Sequence, residues 1–101
     1  MTRQQLPSGE TKAKSRSARP PLYKVLMHND DYTTMEFVVE VLERVFHKSS
    51  IEANRIMLNI HLRGAGMCGT YPEEIAETKV ARVHLLAREA GYPLKCSLEE
   101  A

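Results

Sequence analysis

Apolar and polar positions along this chain alternate in blocks whose period shifts between strand-like and helix-like. Leu22-Tyr23-Lys24-Val25-Leu26-Met27 is a short, nearly continuous apolar run, the length and composition of a β-strand at an edge or in the centre of a sheet. It stops at His28, Asn29, Asp30 and Asp31. Met35, Val38, Val39, Leu42, Val45 and Phe46 then recur at helical spacing, which predicts a helix over 35–47. Thr33 and Glu36 stand in the relation of a capping box ahead of it. Glu40 and Arg44 pair one turn apart, and His47 and Lys48 fall at its end, where cations complement the helix dipole.

A second capping box, Ser49 with Glu52, opens a helix over 50–62. Its buried face reads as Ile51, Met57, Leu58 and Leu62, widened by Ile56 and Ile60, and Met57 and His61 lie one turn apart on one side. Gly64-Ala65-Gly66-Met67-Cys68-Gly69 matches GxGxxG in form. A dinucleotide fingerprint needs a strand before it and a helix after it, and here that order is inverted. The glycines read as a helix stop and a turn before a strand over 67–71. Pro72 starts a third helix with Glu73, Glu74 and Glu77 in its first turns. Ala76, Val80, Val83, Ala87 and Ala90 form its apolar stripe, and Gly91 ends it. A last strand over 94–98 follows Pro93. The order β-α-α-β-α-β predicts a small α/β (α+β) domain, an open two-layer sandwich of a three-stranded sheet with three helices on one face.

Composition narrows the class. A chain of 101 residues is one domain, and 43% hydrophobic with 27% charged residues is ordinary for a globular chain. No apolar run approaches a membrane span, and the start of the chain lacks the apolar segment of a secretory signal. Cys68 and Cys96 make no CxxC pattern and read as small buried hydrophobes in a reducing, cytoplasmic setting. The net charge of +1 hides an asymmetry. Residues 1–21 carry five cations against Glu10, a net of +4, whereas the rest carries nine cations against twelve carboxylates, a net of −3. With almost nothing to bury, residues 1–21 are expected to be a disordered basic extension joined to a core over 22–101.

The candidate chemistry gathers at the end of the first strand. Asp30 and Asp31 with His28 or His61 could serve a metal-assisted hydrolase, but no HxH or HxxxH spacing supports a metal site, and no nucleophile stands in a catalytic context. The basic extension keeps open a ribosome- or RNA-associated module. A binding site matches the residues better. Asn29 offers a carbonyl, Asp30 and Asp31 carboxylates, and a neutral His61 a ring acceptor. An acceptor-rich cluster suits a ligand with several donors and positive charge, and a peptide's α-ammonium is such a group. Met35, Val38, Met57 and Ile60 lie beside it and can accept an apolar side chain.

From Pro21 to its end the chain resembles the ClpS family, adaptors that deliver N-degron proteins to the Clp ATP-dependent unfoldase–protease. The resemblance is carried by Tyr23-Lys24-Val25, Asn29-Asp30-Asp31-Tyr32-Thr33, Met35-Glu36-Phe37-Val38 and the Met57…His61 helix. It continues through Cys68-Gly69, the run Glu74 to Ala81, and Pro93-Leu94-Lys95-Cys96. Thr34 departs from it, since the family usually has Pro there. The resemblance implies the fold of the ribosomal stalk protein's C-terminal domain and a non-catalytic adaptor without metal or cofactor. It implies that Asn29, Asp31 and His61 hold a substrate α-ammonium, with Asp30 shaping the loop. Met35 would be the gatekeeper against β-branched side chains, and Thr33, Val38, Met57, Ile60 and Leu94 the pocket walls. Preferred N-terminal residues would be Phe, Tyr, Trp and Leu. Glu74 and Lys79 would dock on the N-terminal domain of a ClpA-type unfoldase, and the extension would be gripped by the unfoldase pore.

Overall fold

The computed structural model describes residues 20–101. The expected disorder of the basic extension falls on residues 1–19, outside the described residues. Six elements follow in the order β1 (Leu22–His28), α1 (Met35–Phe46), α2 (Ser50–Arg63), β2 (Ala65–Pro72), α3 (Glu73–Ala90) and β3 (Lys95–Glu100). The sheet order is β2-β1-β3 and both pairings are antiparallel, so β1 is central. Its alternation explains why: Val25 and Met27 are fully buried on the helix-covered face, packed with Cys68 of β2 and Cys96 of β3. The thiol of Cys68 is pushed well above the ordinary cysteine range, first by its hydrogen bond with Cys96 and then by burial. It is a core group and not a nucleophile.

The helix ends differ from expectation in instructive ways. Thr34, not Thr33, caps α1, its hydroxyl accepting from the Phe37 amide at 3.1 Å. Thr33 is unavailable because its own amide and hydroxyl both donate to Asp30. At the other end His47 adopts the left-handed conformation, φ 56°, just past the last turn, and Arg44 is the cation within that turn. Lys79 reaches across from α3 to donate to the Val45 carbonyl at 2.8 Å. Ser49 caps α2 as its sequence requires, accepting from the Glu52 amide.

The buried face of α2 is the larger correction. Ala53, Ile56 and Ile60 face the core, while Ile51 and Leu62 are 75% and 76% exposed and Leu58 is also exposed. The reason lies in the next strand. Gly64 ends α2 in the left-handed region, and β2 begins at once, with no connecting turn to choose another face. Gly66 and Gly69 therefore lie inside β2 and not in a turn. Gly66 is buried so close to α2 that a Cβ there would stand 2.8 Å from Ile60 Cγ1 and 3.4 Å from the Ile56 carbonyl oxygen. On α3 the stripe is Ala76, Val83 and Ala87 with Val80 half-buried, and Ala90 is exposed at the end.

Candidate functional site

The antiparallel pairing of β1 with β2 creates the site. His28, the last residue of β1, pairs with Ala65, the first of β2. Ala65 follows directly on the end of α2, so the polar loop after β1 emerges beside the last turn of that helix. A hydrogen bond from the Asn29 amide to the Gly64 carbonyl, 2.9 Å, fastens the two together. The loop then turns back into α1, whose first turns face Met57 and Ile60 across the opening. The result is a cavity of about 510 Å³.

Asp30 builds the loop. Its Oδ1 accepts from the amides of Tyr32 and Thr33, at 2.8 and 2.7 Å, and its Oδ2 from the Thr33 hydroxyl at 2.7 Å. Burial alone would raise its carboxyl, but these three donors outweigh it and hold the group below the ordinary carboxylate value. With both oxygens so engaged, Asp30 holds the loop in shape while also lining the cavity.

Asn29, Asp31 and His61 differ in that respect. All three line the cavity, and among the described residues none of their side chains has a hydrogen-bond partner. Glu36 adds a further carboxylate to the lining, and no Lys or Arg does. The polar part of the cavity therefore holds acceptors and negative charge, with no cation among its described lining residues. The apolar part is made by Met35, Val38, Met57 and Ile60, with Thr33 between. Met35 is half-exposed at the opening, whereas Val38 and Ile60 are buried behind it. An ammonium bonded to an apolar side chain fits both halves at once.

Leu94 is not among the lining residues. It is buried in the core, 3% exposed, and borders a separate recess with His84 and Arg88. Three lining residues were missed by sequence reasoning: Tyr32, Thr34 and Glu36. Each sits between residues that were chosen, so the loop as a unit was the available signal. Tyr92 supports the loop from outside, its ring 4.9 Å from Phe37 and its hydroxyl 3.5 Å from Thr34 Oγ1.

Glu74 and Lys79, expected on a docking surface, lie away from the cavity on α3. Glu74 is exposed in the first turn and borders a recess with Pro20, Pro21 and Ile75. Lys79 is half-buried, holding the Val45 carbonyl with its ammonium 5.9 and 5.2 Å from the ring centres of Phe46 and Tyr71. Among the described residues no three His, Cys, Asp or Glu side chains gather as metal ligands would. No helix among them is long and apolar enough to cross a membrane.

The chain is similar to known proteins. The family model described as "ATP-dependent Clp protease adaptor protein ClpS" matches residues 18–97. An ATP-dependent Clp protease adapter protein ClpS from Desulfatibacillum aliphaticivorans is 60% identical over 89 residues, 88% of this chain and 86% of that one. One from Nitratidesulfovibrio vulgaris (strain DSM 19637 / Miyazaki F) is 60% identical over 81 residues, 80% of this chain and 81% of that one. Among solved structures, Agrobacterium tumefaciens ClpS2 bound to L-phenylalaninamide is similar with a TM-score of 0.80 and 42% identity, over 82% of this chain and 100% of that one.

Proposed function

Because the chain belongs to the ClpS family of ATP-dependent Clp protease adaptor proteins, we propose that its cavity holds the first residue of an N-degron polypeptide, which the adaptor delivers to the Clp protease. The observation that carries this is the convergence of Asn29, Asp31 and His61, three side chains without partners among the described residues, beside the apolar walls of Met35, Val38, Met57 and Ile60. The ligand of the similar Agrobacterium structure, L-phenylalaninamide, joins an α-amino group to a benzyl side chain and lacks a free carboxylate, as the first residue of a peptide does.

In this reading the α-ammonium donates to the Asn29 carbonyl, the Asp31 carboxylate and the neutral ring of His61. Phe, Tyr, Trp and Leu are the favoured first residues. Met35 stands at the opening, where a β-branched side chain would meet it, and Thr33 closes the wall. The protein is an adaptor and carries out no reaction itself. Glu74 and Lys79 belong to the surface that meets the N-terminal domain of a ClpA-type unfoldase. Since Lys79 already holds the end of α1, its contribution there is to shape the surface as much as to offer charge. Residues 1–21 are the segment that the unfoldase grips, and the place of action is the cytoplasm.

Fluorescence anisotropy with Phe-, Leu-, Val- and acetyl-Phe-initiated peptides tests the reading. A charge-assisted hydrogen bond contributes about 1.5–3 kcal/mol, so removing the ammonium weakens binding by at least about tenfold. Equal affinity for the acetylated and free peptides would refute the ammonium site.

A further inference from the structure

A second hollow, about 350 Å³, opens between α1 and α2 and is lined by Met35, Glu36, Val39, Asn54 and Met57. Met35, Glu36 and Met57 also line the main cavity. The two spaces therefore share a wall, and two of its three side chains are thioethers. The sulfur groups of the fold differ in what they offer an oxidant. Met27 is fully buried in the core, and Met57 is half-buried. Cys68 and Cys96 are buried as well, with the Cys68 thiol held well above the ordinary cysteine range. Met35 and Met67 are 44% and 48% exposed. Met67 lies on β2 and lines neither hollow. Among the described residues the sulfur open to an oxidant is thus that of Met35 and Met67, and Met35 alone of the two stands at the binding site.

A thioether needs no deprotonation to react. Its sulfur lone pair attacks one oxygen of hydrogen peroxide and the O–O bond breaks. The departing hydroxide takes the proton of the new S–OH group, leaving a sulfoxide and water. Sulfur has lost two electrons and the peroxide has gained them. The thioether is apolar and polarizable and packs well against aromatic rings, whereas the sulfoxide is polar. Its oxygen is an acceptor, in a wall whose charged neighbours, Asp30, Asp31 and Glu36, are acceptors too. While the cavity is open, water satisfies that oxygen. An apolar side chain entering the cavity displaces the water, and no Lys or Arg in the lining takes its place.

We propose that Met35 is a reversible oxidation site that regulates the cavity. Peroxide converts its thioether to the sulfoxide, the cavity loses affinity for bulky apolar first residues, and reduction of the sulfoxide restores it. The proposal rests on the N-degron reading of the main cavity. It makes substrate selection answer to peroxide through a methionine, with both cysteines of the chain left in the core.

The test treats full-length protein with millimolar hydrogen peroxide. Sulfoxide is followed at each methionine by peptide mass spectrometry, and affinity for a Phe-initiated peptide is read by anisotropy on the same samples. Met35 and Met67 are expected to oxidise ahead of Met57 and Met27, with affinity falling about tenfold in step with Met35. Saturating peptide slows oxidation at Met35 and not at Met67. Methionine sulfoxide reductases A and B, one for each epimer, together return the affinity. The ratio of affinities before and after treatment, taken within each variant, stays at one in Met35→Leu and falls in Met67→Leu as in the parent. Met35 sulfoxide with unchanged affinity, an equal loss in Met35→Leu, or a loss that complete reduction does not reverse overturns the switch while the N-degron reading stands. If the untreated parent does not bind the Phe-initiated peptide, the N-degron reading itself fails and the switch falls with it.

Discussion

Thr34 shows how much one residue can be made to do at a loop–helix junction. Its hydroxyl caps α1 and its ψ of 152° is extended, while its φ of −72° is already the value a proline ring imposes. Thr34→Ala is expected to lose about 1 kcal/mol of stability with the cap. Thr34→Pro loses the same cap but gains roughly 0.4–1 kcal/mol through a stiffer unfolded chain, so it should be close to neutral. Urea denaturation of the two variants separates them, and equal losses would show that the φ argument does not hold. Asp30 is the second case. Its folded value is depressed, so its contribution to stability is complete above the ordinary carboxylate value near 3.8 and is lost as pH falls through the lower folded value. Asp30→Ala should cost on the order of 1–2 kcal/mol from its hydrogen bonds. It should also weaken peptide binding, because the loop presenting Asn29 and Asp31 loosens. Unchanged binding in a destabilised variant would separate loop shape from recognition.

At the scale of elements, α2 and β2 act as one piece. Gly66→Ala puts a methyl group 2.8 Å from Ile60 Cγ1, and overpacking of this kind costs about 1–3 kcal/mol. The helix can yield only by moving outward, which carries His61 and Met57 with it. Stability and peptide affinity should therefore fall together, and a loss of stability with full affinity would show that strain is absorbed elsewhere. The outer edge of β3 is held by α3 through the Cys96 amide and His84. His84 is depressed in the folded state, so its part of the stability is complete above the free imidazole value of 6.5 and declines as pH falls through the lower folded value. Protection of the Cys96 amide, measured against its intrinsic exchange rate, should fall over that range, and less so in His84→Gln, which has no imidazole to protonate.

At the scale of the whole molecule, the proposed function puts recognition and delivery on separate surfaces, the cavity between α1 and α2 and the outer face of α3. Removing residues 1–19 is expected to leave peptide affinity unchanged while slowing degradation of an N-degron substrate by a reconstituted Clp protease. Equal loss of both would tie the extension to the cavity itself.

The order of the six elements, the second helix cap, the buried cysteines and the members of the polar loop were legible in the chain, because each depends on local spacing or on a short run of residues. The choice of Thr34 over Thr33 as cap was not, since it turned on which hydroxyl Asp30 had already taken. Ile51, Leu58 and Leu62 misled for a related reason. A helix with apolar residues around most of its circumference does not announce which face is inward, and the close approach of Gly66 decided for Ala53, Ile56 and Ile60. Local spacing does not specify that Leu94 is buried in the core or that Lys79 donates to the Val45 carbonyl. By itself the sequence determined the elements and supplied the acceptors, because periodicity and side-chain chemistry are properties of neighbouring residues. Only the tertiary structure decided that Asn29 and Asp31 meet His61, because that meeting depends on β1 pairing with the strand that begins where α2 ends.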